Sequence, residues 1–349
     1  MASEVSPRRA GYYDVQVTTL QDVADEAQVS RAVASRALSG DPSARISRET
    51  RRRILEAADR LGYRPNQLAR GLRTARANAV ALVVPSVTNA VFAELVAGVE
   101  SAAATAESAV LLAQLGANAD LQSLVGEGRV DGLILQRDEV LPDDALLRLL
   151  DIRQPVVLFN STLTGHVGSV ILPDEAAARI ATEHLVQLGH RRIGFIGGPS
   201  IHDAARRRQD GFLAAAEAAD LELSAGQCIP GGWEAAAGAS GFATLHASVS
   251  GLTGIVVASV NAALGAMTTA LRLGLRVPED LSIISVHDTW SAEFSFPGLT
   301  VVRMPMRNAG RAAAQMLMER LGGAELRDIV VAHPMPHIAL RGSTGPAPE

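Results

Sequence analysis

The spacing of hydrophobic positions changes along this chain, and the change divides it in two. Leu20, Val23, Ala24 and Ala27 share one helical face, with Thr19 ahead of them as a hydroxyl cap and Asp22 at the third helical position. After a break at Gln28-Val29, Ser30 caps a second predicted helix through Leu38, which Gly40-Asp41-Pro42 ends. Ser47 caps a third, through Ile54, Leu55, Ala58 and Leu61, stopping at Gly62. Pro65 forbids continuing that helix, because proline lacks an N–H and clashes with the preceding turn. The stretch Gln67–Arg73 that follows has room for two helical turns at most, a length that is marginal alone. From Ala79 the pattern becomes one of short apolar runs alternating with Ala-rich helical segments. Strands are predicted at 80–84, 109–113, 132–135, 156–159, 169–172, 193–197, 254–258, 282–286 and 300–303, with helices at 174–188, 205–219 and 261–273 among them. Repeated β-α-β alternation implies parallel sheets flanked by helices, and this much of it implies two successive sheets with a crevice between them.

The fold class expected is therefore an all-α helix-turn-helix headpiece followed by an α/β two-lobed domain. Its boundaries read as a disordered tail at 1–16, a helix-turn-helix DNA-binding domain at 17–64, a short helix and linker at 65–77, a two-lobed domain with a ligand crevice at 78–342, and a second disordered tail at 343–349. Charge sharpens the division. Residues 16–76 carry twelve arginines against seven acids, or +5, and the first fifteen residues balance to zero. The whole chain is at −5, so the remainder holds about −10, and a basic module on an acidic body points the module alone at a phosphate partner. Every basic residue is Arg. Within the second helix Ala34, Ala37 and Leu38 face the first, so Arg31, Ala32, Ser35 and Arg36 point away, and arginines there suit bidentate contact with guanine in the major groove.

Other chemistry is thin. No G-x-G-x-x-G, Walker A or G-x-S-x-G pattern occurs, so no catalytic set and no cofactor is expected. His333 and His337 are separated by two prolines, which preclude the helix that would aim both at one metal. Cys228 is the single cysteine, which fits a reducing cytoplasm, and no apolar run of membrane-spanning length or export signal is expected. The competing function is a sugar-type small-molecule binding protein without DNA-regulatory activity; salt-dependent DNA binding separates the two.

Thr19-Leu20-Gln21-Asp22-Val23-Ala24, Ser35-Arg36-Ala37-Leu38 and Leu61-Gly62-Tyr63-Arg64-Pro65-Asn66 resemble the lactose-repressor (LacI) family of bacterial transcription regulators. Leu188-Gly189-His190-Arg191-Arg192, Leu264-Gly265-Ala266-Met267 and Leu299-Thr300 extend the resemblance over nearly the whole chain. The resemblance implies a large domain like the periplasmic sugar-binding proteins, and a homodimer on a pseudo-palindromic operator in double-stranded DNA. It implies a hinge helix and linker at 65–77 and an effector-binding and dimerisation domain at 78–342. It implies DNA contacts from Thr19, Leu20, Ser30, Arg31, Ala32, Ser35, Arg36, Asn66, Ala69 and Leu72, the last as a wedge in the minor groove. It implies an effector (a sugar, sugar derivative or other small polar metabolite) held by Asn89, Phe92, Arg137, Arg208, Trp233, Ser259 and His287.

The sequence departs from the family pattern at several positions. Gln28 stands where a glycine is usual, Val33 where a threonine is, and Ser259-Val260 where Asn-Asp is. His287 replaces an acid that usually faces the ligand, which with Arg208 favours a more anionic or less hydroxylated effector than a neutral sugar. Arg206 and Arg207 are expected to be surface or lobe-bridging charges.

Overall fold

The computed structural model describes residues 18–39, 44–64, 76–115, 128–137, 142–150, 152–224 and 226–349. The chain divides into two units, Met1–Ala75 and Arg76–Glu349.

Among its described residues the first unit holds three helices, α1 (Leu20–Glu26), α2 (Arg31–Leu38) and α3 (Arg48–Arg60). Each begins at the hydroxyl that the sequence marks. Thr19 closes a full capping box with Asp22, while Ser30 accepts the Val33 amide and Ser47 the Thr50 amide. The helices meet on a small core of Val23, Ala24, Ala27, Ala34, Ala37, Ile54, Ala57 and Ala58. With so many alanines in the contact the helix axes can approach closely, and polar ties complete the bundle. Arg51 donates to the Ala37 carbonyl, and Arg60 pairs with Glu26. Gln28 sits between α1 and α2 at φ 51, the left-handed region where a glycine would be unstrained.

The second unit holds two six-stranded sheets. The first is built from β1 (Ala79–Val84), β2 (Ala109–Gln114), β3 (Gly132–Gln136), β4 (Val156–Phe159), β5 (Ser169–Ile171) and β11 (Ile329–Val330), in the order β11-β5-β4-β3-β1-β2, every pair parallel. The second comprises β6 (Ile193–Ile196), β7 (Cys228–Ile229), β8 (Gly254–Val257), β9 (Ser282–Val286), β10 (Thr300–Arg303) and β12 (His337–Ala339). Its order is β12-β10-β9-β8-β6-β7, parallel except for β12 on β10. The nine strands expected from the sequence are present. Three more, β7, β11 and β12, are two or three residues long and lie at or beside sheet edges.

Helices cover both faces of each sheet. The first lobe carries α4 (Ala93–Thr105), α5 (Asp143–Leu149) and α11 (Met306–Leu321); the second carries α6 (Asp174–Gln187), α7 (Asp203–Ala218), α8 (Ala235–Ser248), α9 (Val260–Arg272) and the short α10 (Trp290–Glu293). Because strands bounded by helices on both faces are buried throughout, β1, β4, β6 and β8 are continuous apolar runs rather than alternating ones. The helix pairs α4–α11 and α8–α9 approach closely enough that a side chain at Gly98 would meet the Arg307 carbonyl, and one at Gly265 the Ala235 carbonyl. Three chain crossings join the lobes: β5 to α6, β10 to α11, and β11 to β12.

Residues 343–349, expected to be loose, are docked on the second lobe. Ser343 is buried, its carbonyl accepts the Ile283 amide at 2.7 Å, and its hydroxyl receives the Thr300 amide at 2.8 Å. Gly345 O lies 3.1 Å from Nε2 of buried His190, and the Ala347 amide donates to Leu188. Hydrogen bonds of the backbone and of the Ser343 and Thr344 hydroxyls, not apolar surface, hold this segment, so its Gly- and Pro-rich composition hides it from a hydrophobicity pattern. Among the described residues no helix is long and apolar enough to cross a membrane.

Candidate functional site

On α2 the alternation of faces is as the spacing requires. Ala34 and Ala37 are buried and Leu38 is partly so, while Arg31, Ala32 and Arg36 are exposed and Ser35 is half-buried beside them. Ser30, at the cap, is exposed, as is Thr19; Leu20 packs partly into the headpiece core. Two guanidinium groups thus stand in water on one helix face. Asn66, Ala69 and Leu72 lie outside the described residues.

Between the two lobes lies an open crevice of about 850 Å³, counted with the solvent space at its mouth. All seven residues assigned to the effector from the sequence line it. Asn89, Phe92 and Arg137 come from the first lobe, and Arg208, Trp233, Ser259 and His287 from the second. Asn89 caps the single 3-10 turn that precedes α4 by accepting the Val91 amide. Ser259 caps α9 and donates its hydroxyl to the Trp233 carbonyl at 2.7 Å. Arg137, almost wholly enclosed, pairs with the exposed Asp143 at 2.7 Å. Phe92 also packs on the first lobe's core.

The centre of the second lobe's wall is a buried charge network that the sequence did not announce. Asp174 opens α6 with no exposed surface. Arg208, 3% exposed, sends Nε to Asp174 Oδ1 at 2.8 Å, one terminal nitrogen to the Ala258 carbonyl, and the other to Asp174 and to His287 Nε2 at 2.7 Å. Arg207 donates to Asp174 Oδ2 at 2.9 Å and to Asn160 Oδ1 at 2.8 Å. Burial alone would raise the Asp174 pKa, but Arg208 and Arg207 outweigh it and hold the carboxyl below its usual range. His287 is held in the left-handed region at φ 72, with its amide on the Val302 carbonyl. Burial and then the Arg208 guanidinium push its pKa down to about 3, so the ring is neutral.

Arg208 therefore differs from its expected role. Its fork is largely saturated by the protein, leaving little of it for a ligand. Trp233 is likewise engaged: Arg208 lies 5.1 Å from its ring centroid, His202 stacks on it at 6.0 Å, and its indole N–H donates to His202 Nδ1. Arg206 and Arg207 behave as the surface and bridging charges expected. Arg206 pairs with Asp203, and Arg207 reaches Asn160, which follows β4 in the other lobe. A second bridge joins the lobes where Asp203, opening α7, accepts the Thr162 amide at 2.7 Å and the Thr162 hydroxyl.

Asp174, Asn160, His202 and Asp203 were missed by sequence reasoning, though all but Asp174 line the crevice. For Asp174 and Asp203 the available signal was an acid at the start of a helix that follows a strand; Asn160 and His202 carried none. Among the described residues no cluster of His, Cys, Asp and Glu has the geometry of a metal site.

Comparison with known proteins matches both units. Residues 19–66 fit the model for bacterial regulatory proteins of the lacI family, and residues 182–344 the periplasmic binding protein-like domain. An HTH-type transcriptional regulator in the aml 5′ region of Streptomyces limosus is 34% identical over 94% of this chain and 95% of its own length. The crystal structure of a LacI family transcriptional regulator from Mycobacterium smegmatis is 48% identical, covers 76% of this chain and 99% of its own, and superposes with a TM-score of 0.74. The lac repressor dimer bound to operator and the anti-inducer ONPF is 25% identical, covers 94% and 99%, and gives a TM-score of 0.78. The chain belongs to the lacI family of bacterial regulatory proteins and is a DNA-binding transcription regulator with an effector-binding domain.

Proposed function

We propose that this regulator is a cytoplasmic homodimeric repressor that reads a pseudo-palindromic operator and changes its grip according to a small molecule in the crevice. The observation that carries the reading is the pairing, on one chain, of a bare arginine face on α2 with a crevice between lobes lined by all seven expected residues. A two-fold protein demands a two-fold site, and the similar lac repressor dimer on its operator supports that geometry here. Arg31, Ala32, Ser35 and Arg36 read base edges in the major groove; Thr19, Leu20 and Ser30 meet the phosphate backbone at helix starts. Asn66, Ala69 and Leu72 take the operator centre, with Leu72 wedged into the minor groove.

The crevice couples to DNA through the angle between its lobes. Thr162–Asp203 and Asn160–Arg207 are hydrogen bonds that exist only when the lobes are together. A ligand that braces or breaks these bridges shifts the population of closed lobes, and by reciprocity operator DNA shifts ligand affinity by the same factor. The test is fluorescence anisotropy of the full chain on a selected duplex as salt is raised. The logarithm of affinity should fall linearly with the logarithm of salt. Binding absent at all salt concentrations, with and without candidate sugars, contradicts the reading.

A further inference from the structure

The crevice wall sorts its hydrogen-bonding groups unevenly, and the sorting bears on what the effector is. Four side-chain acceptors at or behind the wall are already engaged. Asp174 gives both oxygens to Arg208 and Arg207, and Asp203 gives its oxygens to Thr162 and Arg206. Asn160 Oδ1 takes the Leu172 amide and Arg207, and Asn89 Oδ1 takes the Val91 amide. Since backbone amides can only donate, these contacts also fix which end of each side-chain amide is nitrogen. The NH2 groups of Asn89 and Asn160 therefore remain as donors.

His287 goes the same way. A guanidinium has only protons to offer, so Nε2, 2.7 Å from Arg208, must carry the lone pair. In a neutral ring the proton then sits on Nδ1. That atom is buried, His287 being 8% exposed, and has no hydrogen-bond partner among the described residues. A buried donor left without a partner is costly, and since His287 lines the crevice, a small turn of the ring would bring this N–H to a ligand atom and relieve that cost. The formal charges balance over the whole lining, but the positive excess lies at the floor and the negative at the exposed Glu234. Arg207 and Arg208 against Asp174, with His287 neutral, leave +1 at the floor of the wall (two cations less one anion). Arg206 and Asp203 cancel, as do Arg137 and Asp143; Glu234 is an exposed carboxylate of the lining. Gln136 and buried Ser161 complete the polar lining and can donate or accept.

We propose that the effector is a small sugar acid whose carboxylate oxygen accepts the Nδ1–H of His287. The inference rests on the effector reading above and names the chemical class. A carboxylate carries no proton and about four lone-pair sites, so it answers a wall of donors that a hydroxyl, itself needing an acceptor, answers poorly. The polyol portion falls to Gln136, Ser161 and the face of Phe92.

Calorimetry on the full chain with glucose against glucuronate, and galactose against galacturonate, tests the assignment. The acid of at least one pair should bind at least tenfold tighter than its neutral partner. H287D, which replaces a donor by an anionic acceptor, should reverse that order. Nitrogen-15 NMR of the ligand-free protein reads the basis without any variant: the His287 ring should be the Nδ1–H tautomer, and the Nε2–H tautomer overturns the proposal. A neutral hexose that matches or exceeds its acid, or that alone shifts operator affinity, overturns the sugar-acid assignment and leaves the effector reading standing. Silence from all four, in both heat and operator affinity, overturns the assignment and counts against the effector reading as well.

Discussion

The headpiece and the crevice both depend on arginine, and they use it in opposite ways. On α2, Arg31 and Arg36 stand exposed, so their five-donor forks are available to whatever approaches. In the crevice Arg208 is enclosed, and an enclosed guanidinium must be satisfied by the protein before any ligand arrives. Asp174, Ala258 and His287 do this. Exposed arginines are left free to meet a partner; the buried one is committed to holding the wall in shape. On the proposed function, the regulator reads DNA with groups visible in its sequence and its effector with groups whose state depends on partners elsewhere in the chain.

The comparison breaks most visibly if the buried network is cut. Asp174→Ala strands Arg207 and Arg208 together and should cost about 3–5 kcal/mol in urea unfolding, whereas Arg36→Ala should change stability by under about 0.5 kcal/mol. A small loss at Asp174 would mean that water or movement relieves the network. For operator affinity the ranking turns over. Arg36→Ala should weaken binding by about 1–3 kcal/mol and relax base preference at one position in each half-site, as competition with mismatched duplexes would show.

Acid separates the two regions in a different way. All eight histidines lie in the second unit and none in the headpiece. His166, His184, His190 and His287 all have depressed pKa values, each chiefly through burial. The folded second unit then binds fewer protons than its unfolded chain below the ordinary histidine pKa of about 6.5. Its stability should be full above that pH and fall as pH drops toward the folded values, by up to about 1.4 kcal/mol per pH unit for each such group. The tryptophans, Trp233 and Trp290, both report on this unit, so tryptophan fluorescence during denaturation follows it selectively. His287→Gln should flatten the slope between pH 6.5 and 5; an unchanged slope would show that His287 titrates normally. The smallest effect belongs to the headpiece turn. Gln28→Gly relieves a left-handed backbone and should stabilise the three-helix unit by about 1 kcal/mol, measured by its thermal midpoint.

The same contrast explains what the sequence made legible. Helix caps at Thr19, Ser30 and Ser47 are local, three residues from the amides they accept, so spacing reveals them. Apolar strand runs are equally local. The seven crevice residues were legible through family resemblance, because the pattern carries positions even where the residue type has changed. The partners that set their chemistry were not: Asp174 and Arg208 are 34 positions apart, and Arg208 and His287 are 79. No periodicity links such pairs, and only the folded sheet brings them together. Arg208 was accordingly assigned to the effector without its protein partners, and the docking of residues 343–349 went unread because hydrogen bonds of backbone and hydroxyl groups, with no apolar run, secure it.

The most direct test of the account selects bound sequences from random duplex DNA at moderate salt, for the wild type and Arg36→Ala in parallel. The account predicts a two-fold symmetric consensus, with one position in each half-site losing its preference in the variant. No enrichment over random DNA, or an identical consensus from both proteins, would contradict the claim that the exposed arginine face of α2 reads the operator.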